Sequence, residues 1–407
     1  MCLSYLKKSS VRKLKIIYVN RRTYGRSFAS RDSDDFYLFG VGHLLGEQLL
    51  KRNNGILVEN WRTDKAVKEI TTRVISGIKC KIFPSLQFWR YGEYSMPFLN
   101  ELMKEKKDSC FIIHFMGTHD LFYDFVGIYF RKYPIVATHL GGANPYFKFK
   151  KNRKIASLLF GELEQRIFLR FHDHIFVTTK PAQDYFQKAL TSGRVSKCPI
   201  YGFDFEVFKR VPKKIARRKL NLPLDSKIML SVSRAYINKG IGFVLNAFSI
   251  LKGEGILLLM VDVQQKDSLY DKVVASGALH IGHVDYFSLP IYYSAADLLV
   301  YLPFDDDSLN FGGTSYVPLE SLACGTPVVS TLLRHFPDPA IHRVARIPES
   351  PSDVVPMVKD ILRNPPLPDD CRKLVYKYFN WDNVMRRHID IYRDLFQRYY
   401  NRNVNSL

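Results

Sequence analysis

Two stretches carry residue types and spacings suited to chemistry on a phosphorylated ligand. The first is SVSRAYINKG (231–240): Arg234 follows a β-branched run, Lys239 comes five residues later, and Gly240 opens an amphipathic segment. Two fixed cations at the mouth of a strand match a diphosphate, because guanidinium offers a planar fork and ammonium a compact charge. Taken alone, the pair is equally two solvated loop cations. The second is FGGTSYVPLESLACGTPVVS (311–330). Gly312 and Gly313 permit close ligand approach. Thr314, Ser315 and Tyr316 lead into a predicted helix with Pro318 near its first turn. Free N–H groups at that start, with the helix dipole, make an anion site. Glu320, one turn in, could accept two hydrogen bonds from vicinal ribose hydroxyls; in isolation it is also a solvated residue beside a Gly-rich turn.

Such residues must be positioned by strand ends. In the first half, short apolar runs fall at 15–19, 55–59, 81–83, 110–115, 134–139 and 174–179, with segments of helical period between them. One such segment runs from Ile155 to Phe171, with Ile155, Leu158, Leu159, Leu163 and Ile167 on one face. The series restarts at 228–232, 256–261, 278–282, 297–302, 327–330 and 344–347. Strands alternating with helices bury both faces of a parallel sheet. The expected fold is therefore α/β, with two Rossmann-like doubly wound domains facing across a cleft. The join is expected in the basic, strand-poor segment 201–223, dividing an N-terminal domain (1–203) from a C-terminal one (204–378).

From Asp204 onward the sequence resembles the retaining nucleotide-sugar glycosyltransferases of family 4, of GT-B fold. The resemblance is carried, in the family's order, by GFDFEVF (202–208), SRAYINKG (233–240), HIGHVDYFSLPIYYSAADLLVYLP (280–303), PLESLACGTPVV (318–329) and FNWDNVMRRHIDIY (379–392). It implies that Arg234 and Lys239 hold the donor's diphosphate, Glu320 its ribose, and the backbone N–H groups of Thr314, Ser315 and Tyr316 its distal phosphate. His283 and Val284 fall where the family reads the base. The donor is then a nucleoside-diphosphate sugar, with no cofactor and no metal. The last segment, 379–407, is expected to cross back to the first domain with Trp381 as anchor. One departure concerns the acidic residue that the family places eight positions before its Glu. Here that position is Gly312; Asp305, Asp306 and Asp307, a few residues upstream, are either its replacement or a solvated acidic loop.

In the first half, CFIIHFMGTHD (110–120) ends a strand with two histidines, where relatives often carry His-x-His. His119 is the candidate to approach the transferred sugar and His114 the second choice, although a histidine in an apolar strand is commonly a satisfied core residue. His139, in ATHLGGAN, follows the next strand as a possible acceptor contact or a turn residue. YLFGVGHLLG (37–46) leads into a helix, its glycines either admitting a phosphate or making a tight strand–helix join.

Composition bounds the class. The 407 residues are 46% hydrophobic and 24% charged, which excludes a disordered chain. Sixty Lys and Arg against 39 Asp and Glu give a net charge of +21 and imply an anionic partner. Lys148, Lys150, Lys151, Arg153 and Lys154, interleaved with aromatics, resemble an anionic-membrane patch. KRVPKKIARRK (209–219) is a second basic run, and either is otherwise a solvated face. Nucleic acid is disfavoured, because no binding motif accompanies the charge. Six scattered cysteines and no apolar run of membrane-spanning length suggest a cytoplasmic protein, peripheral on the inner membrane face at most. A phosphorylase or epimerase on the same scaffold, or a non-catalytic basic binder, are the rival readings.

Overall fold

A computed structural model describes residues 13–20, 34–53, 55–89, 92–108, 110–118, 120–141, 163, 166–304 and 316–400. In chain order the first half supplies β1 (Leu14–Asn20), β2 (Leu57–Asp64), β3 (Thr71–Ile75), β4 (Ile78–Pro84), β5 (Leu86–Trp89), β6 (Gly92–Tyr94), β7 (Cys110–Met116), β8 (Ile135–Thr138), β9 (His174–Val177) and β10 (Val195–Lys197). The second half supplies β11 (Lys227–Val232), β12 (Ile256–Val261), β13 (Leu279–Ile281), β14 (Leu298–Tyr301), β15 (Val328–Ser330) and β16 (Ala345–Arg346). The first sheet has the order β10-β9-β8-β7-β1-β2-β4-β3 and the second β13-β12-β11-β14-β15-β16; β5 and β6 form a separate hairpin. All pairings in both sheets are parallel except β3 with β4.

Each sheet reverses its strand order beside its first strand, between β1 and β7 and between β11 and β14. Loops leaving the carboxyl ends there diverge to opposite faces, and the crevice between them is where ligands bind in such sheets. The central strands are uniformly apolar because helices cover both faces: Ile16, Ile17, Ile112, Ile113, Met229 and Leu230 are all fully buried.

The apolar-run reading omits β3, β5, β6 and β10. β3 is an edge strand whose middle residues face solvent, so it needs no hydrophobic face. β10 is only three residues long.

Two crossings join the halves and run side by side. The Phe203 N–H donates to the Phe379 carbonyl at 2.7 Å, and Phe203 and Asn380 form a parallel bridge. Gly202 lies against Trp381; a Cβ there would stand 2.8 Å from the indole Cδ2 and 3.0 Å from the Trp381 Cα. The last helix, Trp381–Tyr400, then returns to the first sheet and buries Val384, Met385, Tyr392, Leu395 and Phe396 against Tyr18, Met116 and Phe176. No helix among the described residues is long and apolar enough to cross a membrane.

The basic run 209–219 is in part structural. Arg217, in the helix Lys213–Lys219, is 2% exposed. It donates to the carbonyls of Ala295, Leu224 and Ser226 and to Asp297 at 2.6–2.9 Å, while Lys213 pairs with Asp297 at 2.7 Å. A solvated or membrane-facing reading does not hold for Arg217, whereas Lys213 stays exposed. The other cluster, Lys148, Lys150, Lys151, Arg153 and Lys154, lies outside the described residues.

Candidate active site

The loop after β11 carries Arg234 at the second sheet's switch point. Its guanidinium is held rather than free: Nε donates to Asp267 at 2.7 Å, and Nη2 donates to Asp267 and, at 3.0 Å, to the Tyr236 hydroxyl. Asp267, whose side chain is wholly buried, also accepts the N–H groups of Ala235 and Gln264, both at 2.9 Å. The adjacent guanidinium and these amide bonds oppose the effect of burial and hold its carboxyl below the usual range. Asp267 thus ties the loop after β11 to the loop after β12, and Nη1 of Arg234 has no hydrogen bond among the described residues.

Lys239 ends a short 3₁₀ turn, Ile237–Lys239, half-buried, with no side-chain hydrogen bond or ion pair among the described residues. Gly240 follows at φ +74 and starts the helix Ile241–Leu251. A Cβ at this position would lie 1.8 Å from the Leu302 carbonyl oxygen, just beyond β14. The glycine lets the Lys239 loop press against the neighbouring strand end, which brings the cations to the switch point.

Glu320 lies in the helix Tyr316–Ala323, 3% exposed. The Tyr293 hydroxyl, itself fully buried, donates to Glu320 Oε2 at 2.6 Å. Burial raises the Glu320 carboxyl to about 7, against the pull of that hydrogen bond toward the charged form. A solvated helix position is therefore excluded. At the helix start, Tyr316 stacks on Tyr201 with centroids 3.7 Å apart, donating to the Tyr201 carbonyl and accepting its N–H, both at 2.8 Å. The Tyr316 side chain is committed to the crossing between the halves, so only its backbone remains for an anion. Thr314 and Ser315 lie outside the described residues, as do Asp305, Asp306, Asp307 and Gly312.

Beyond β13, His283 is exposed and its Nδ1 lies 3.1 Å from Asp262 Oδ1; Val284 packs on the core of the second half. An open depression of about 500 Å³, lined by Gln264, Gln265 and Lys266, adjoins the Asp267 loop.

On the first sheet, His119 lies outside the described residues. His114 does not serve as its substitute. Fully buried, it faces the last helix, with Nδ1 2.5 Å from the Tyr392 hydroxyl and Nε2 2.8 Å from Thr138 Oγ1. His139, just past β8, is 1% exposed, and its Nδ1 lies 2.8 Å from Thr118 Oγ1 in the loop after β7. It braces Thr118 in the loop after β7. In YLFGVGHLLG, Gly40 (φ 52, ψ −141) breaks the helix Asp34–Arg52, and the Gly42 N–H donates to Asn20 at the end of β1, 3.3 Å away.

Sequence reasoning missed Asp267 and Tyr293. Asp267 follows a strand end, the place to search. Tyr293 lies within the segment 280–303 that carries part of the resemblance, but nothing in that segment assigns it a role.

Residues 212–378 match the model of the glycosyl transferases group 1 family. The second half of the chain is thus similar to the glycosyl transferases group 1 family. An uncharacterised glycosyltransferase of Methanocaldococcus jannaschii is 27% identical over 194 residues, 44% of this chain and 47% of that protein. The D-inositol 3-phosphate glycosyltransferase of Thermobispora bispora is 30% identical over 145 residues, 32% of each chain. The chain thus spans about half or less of the curated relatives it matches. Among solved structures, a sucrose-phosphate synthase from Thermosynechococcus elongatus superposes with a TM-score of 0.68 at 20% identity, covering 94% of this chain and 99% of the other. HepE of Anabaena, in complex with UDP-glucose, gives 0.63 at 13% identity, covering 93% and 99%. At such identities the likeness shows the fold, which is GT-B, with two Rossmann-like domains facing across a cleft. Arg234 and Lys239 lie in the loop after β11, beside which the strand order reverses, and Glu320 lies in the helix Tyr316–Ala323 between β14 and β15.

Proposed function

We propose that the chain is a retaining glycosyltransferase that moves a sugar from a nucleoside-diphosphate sugar to an acceptor in glycan or glycolipid synthesis. The observation that carries this reading is the pair of cations at the switch point of the second sheet. Arg234 is preorganised by Asp267, and Lys239 is left unpaired among the described residues.

The bond between the anomeric carbon and the phosphate oxygen breaks, and negative charge grows on the departing diphosphate. Arg234, Lys239 and the N–H groups of residues 314–316 stabilise that charge, with no metal or other cofactor called on. The acceptor hydroxyl attacks from the face the diphosphate leaves, and the departing phosphate takes its proton. Glu320 grips the ribose, the loop of His283 and Val284 meets the base, and His119 steadies the sugar.

The acceptor is lipid-linked or lies at a membrane surface. In support, the helix Leu121–Tyr129 turns Phe125, Ile128 and Tyr129 to solvent, followed by exposed Arg131 and Lys132, while Asp120 and Asp124 are buried. Apolar residues rimmed by cations suit an anionic lipid surface, to which Lys148, Lys150, Lys151, Arg153 and Lys154 would add charge. The setting is cytoplasmic and membrane-peripheral, consistent with Cys80, Cys110, Cys198, Cys324 and Cys371 as buried free thiols.

A panel of activated sugars, assayed for hydrolysis and transfer, tests the reading. Arg234→Ala or Lys239→Ala should lower turnover on the order of 10²–10³-fold with the fold intact. Turnover like that of the unsubstituted protein in either variant refutes it.

A further inference from the structure

We propose that Tyr293 is a positioning residue for the carboxylate that binds the donor's ribose, its buried hydroxyl fixing one oxygen of Glu320 so that the other is kept for the sugar. The proposal rests on the donor site described above. A carboxylate turns readily about its last bond, and two vicinal ribose hydroxyls require it in one orientation. The 2.6 Å bond from Tyr293 to Oε2 sets that orientation. Oε1 has no hydrogen bond among the described residues, although Glu320 is only 3% exposed.

Tyr293 is itself immobile. It lies fully buried in the helix Leu289–Ala295, and its carbonyl accepts the Thr326 hydroxyl at 2.8 Å. Thr326 follows the helix that carries Glu320, so donor and acceptor are tied at both backbone and side chain.

The hydroxyl also favours the form of Glu320 that the ribose needs. The titratable groups that face the carboxylate are Tyr293, Tyr201, Tyr316 and Cys324, each pushed upward and neutral at physiological pH. Arg372, from the packed helix Pro368–Phe379, spends its donors on the carbonyls of Phe205, Phe208 and Ala323. With burial raising the carboxyl to about 7, the hydroxyl of Tyr293 opposes that rise, and its loss drives the carboxyl higher still. Ribose hydroxyls donate to the ionised form, so nucleotide affinity falls as pH drops through that range.

The full chain and its Tyr293→Phe variant are titrated calorimetrically with UDP and GDP, with the 2′,3′-dideoxy form of whichever binds, and with inorganic pyrophosphate. The variant should bind the ribonucleotide roughly tenfold to a hundredfold more weakly. It should leave the dideoxynucleotide and pyrophosphate unchanged, and the midpoint of affinity against pH should move upward. Glu320→Gln keeps an oxygen for the Tyr293 hydroxyl and must show the same ribose-selective loss, which covers a Tyr293→Phe chain that fails to fold. Equal loss for all three probes assigns Tyr293 to the core and overturns the proposal, as does unchanged ribonucleotide affinity. If the unsubstituted chain binds no nucleotide, the donor-site reading beneath it falls too.

Discussion

Burial of Glu320 makes a stability prediction whose sign is opposite to that of an ordinary surface carboxylate. Its carboxyl is raised from 4.5 to about 7, so the native state holds the proton more tightly than the unfolded chain. The resulting stability is fully present below about 4.5 and is lost as pH rises through about 7. A rise from 4.5 to about 7 corresponds to about 3 kcal/mol. Glu320→Gln has nearly the same volume, keeps an acceptor for Tyr293, and carries no charge to desolvate. Relative to the unsubstituted protein, it should gain stability between pH 5 and pH 8. The gain in melting temperature should be roughly 6–12 °C, at about 2–4 °C per kcal/mol for domains of this size. Differential scanning fluorimetry of both proteins over that range, without nucleotide, isolates this one carboxylate because all other titrations cancel. Parallel curves would mean that Glu320 is solvated or already ionised, and would refute the account of its burial.

Other perturbations follow from single contacts. Gly240→Ala combines φ +74 with a Cβ 1.8 Å from a backbone oxygen that cannot rotate away, so urea unfolding should show a loss of about 3 kcal/mol or more. Gly202→Ala pushes on the Trp381 backbone at 3.0 Å; limited proteolysis should show the last helix released more readily than in the unsubstituted protein. Where that helix packs on the first sheet, burial lowers His388 of the helix and His174 of β9 to about 4 and lowers His114 as well. Depressed histidines contribute stability that is present above about 6.5 and is lost as pH falls toward about 4. The fluorescence of Trp381 should report its release in that window, and an emission spectrum constant down to pH 4 contradicts this.

The fold was largely legible because parallel sheets buried on both faces impose continuous apolar runs. KIIYV and IMLSV mark the two strands at which strand order reverses, and the residues following them mark the crevice. The places of Arg234, Lys239 and Glu320 beyond strand ends follow from the same pattern, while the roles proposed for them rest on the resemblance to a known family. His114 was misjudged as a second choice for the cleft: alternation along β7 does not reveal which face the last helix covers, and Tyr392 arrives from 278 residues away. Arg217 likewise looked like one cation in a run, and only the return of Asp297 and three carbonyls makes it an interior residue.

By itself the sequence determined the two-sheet architecture, the order of its elements and the strand ends where charge gathers, since these depend on local pattern and short spacing. Tertiary structure alone decided which of those groups are free and which are held. Asp267 claims the Nε–Nη2 edge of Arg234, Tyr293 claims one oxygen of Glu320, and Tyr201 claims the side chain of Tyr316. Each pairing joins elements distant in the chain or separated by a whole strand. Burial, which sets how strongly a partner binds and which protonation state it favours, exists only once those elements have packed.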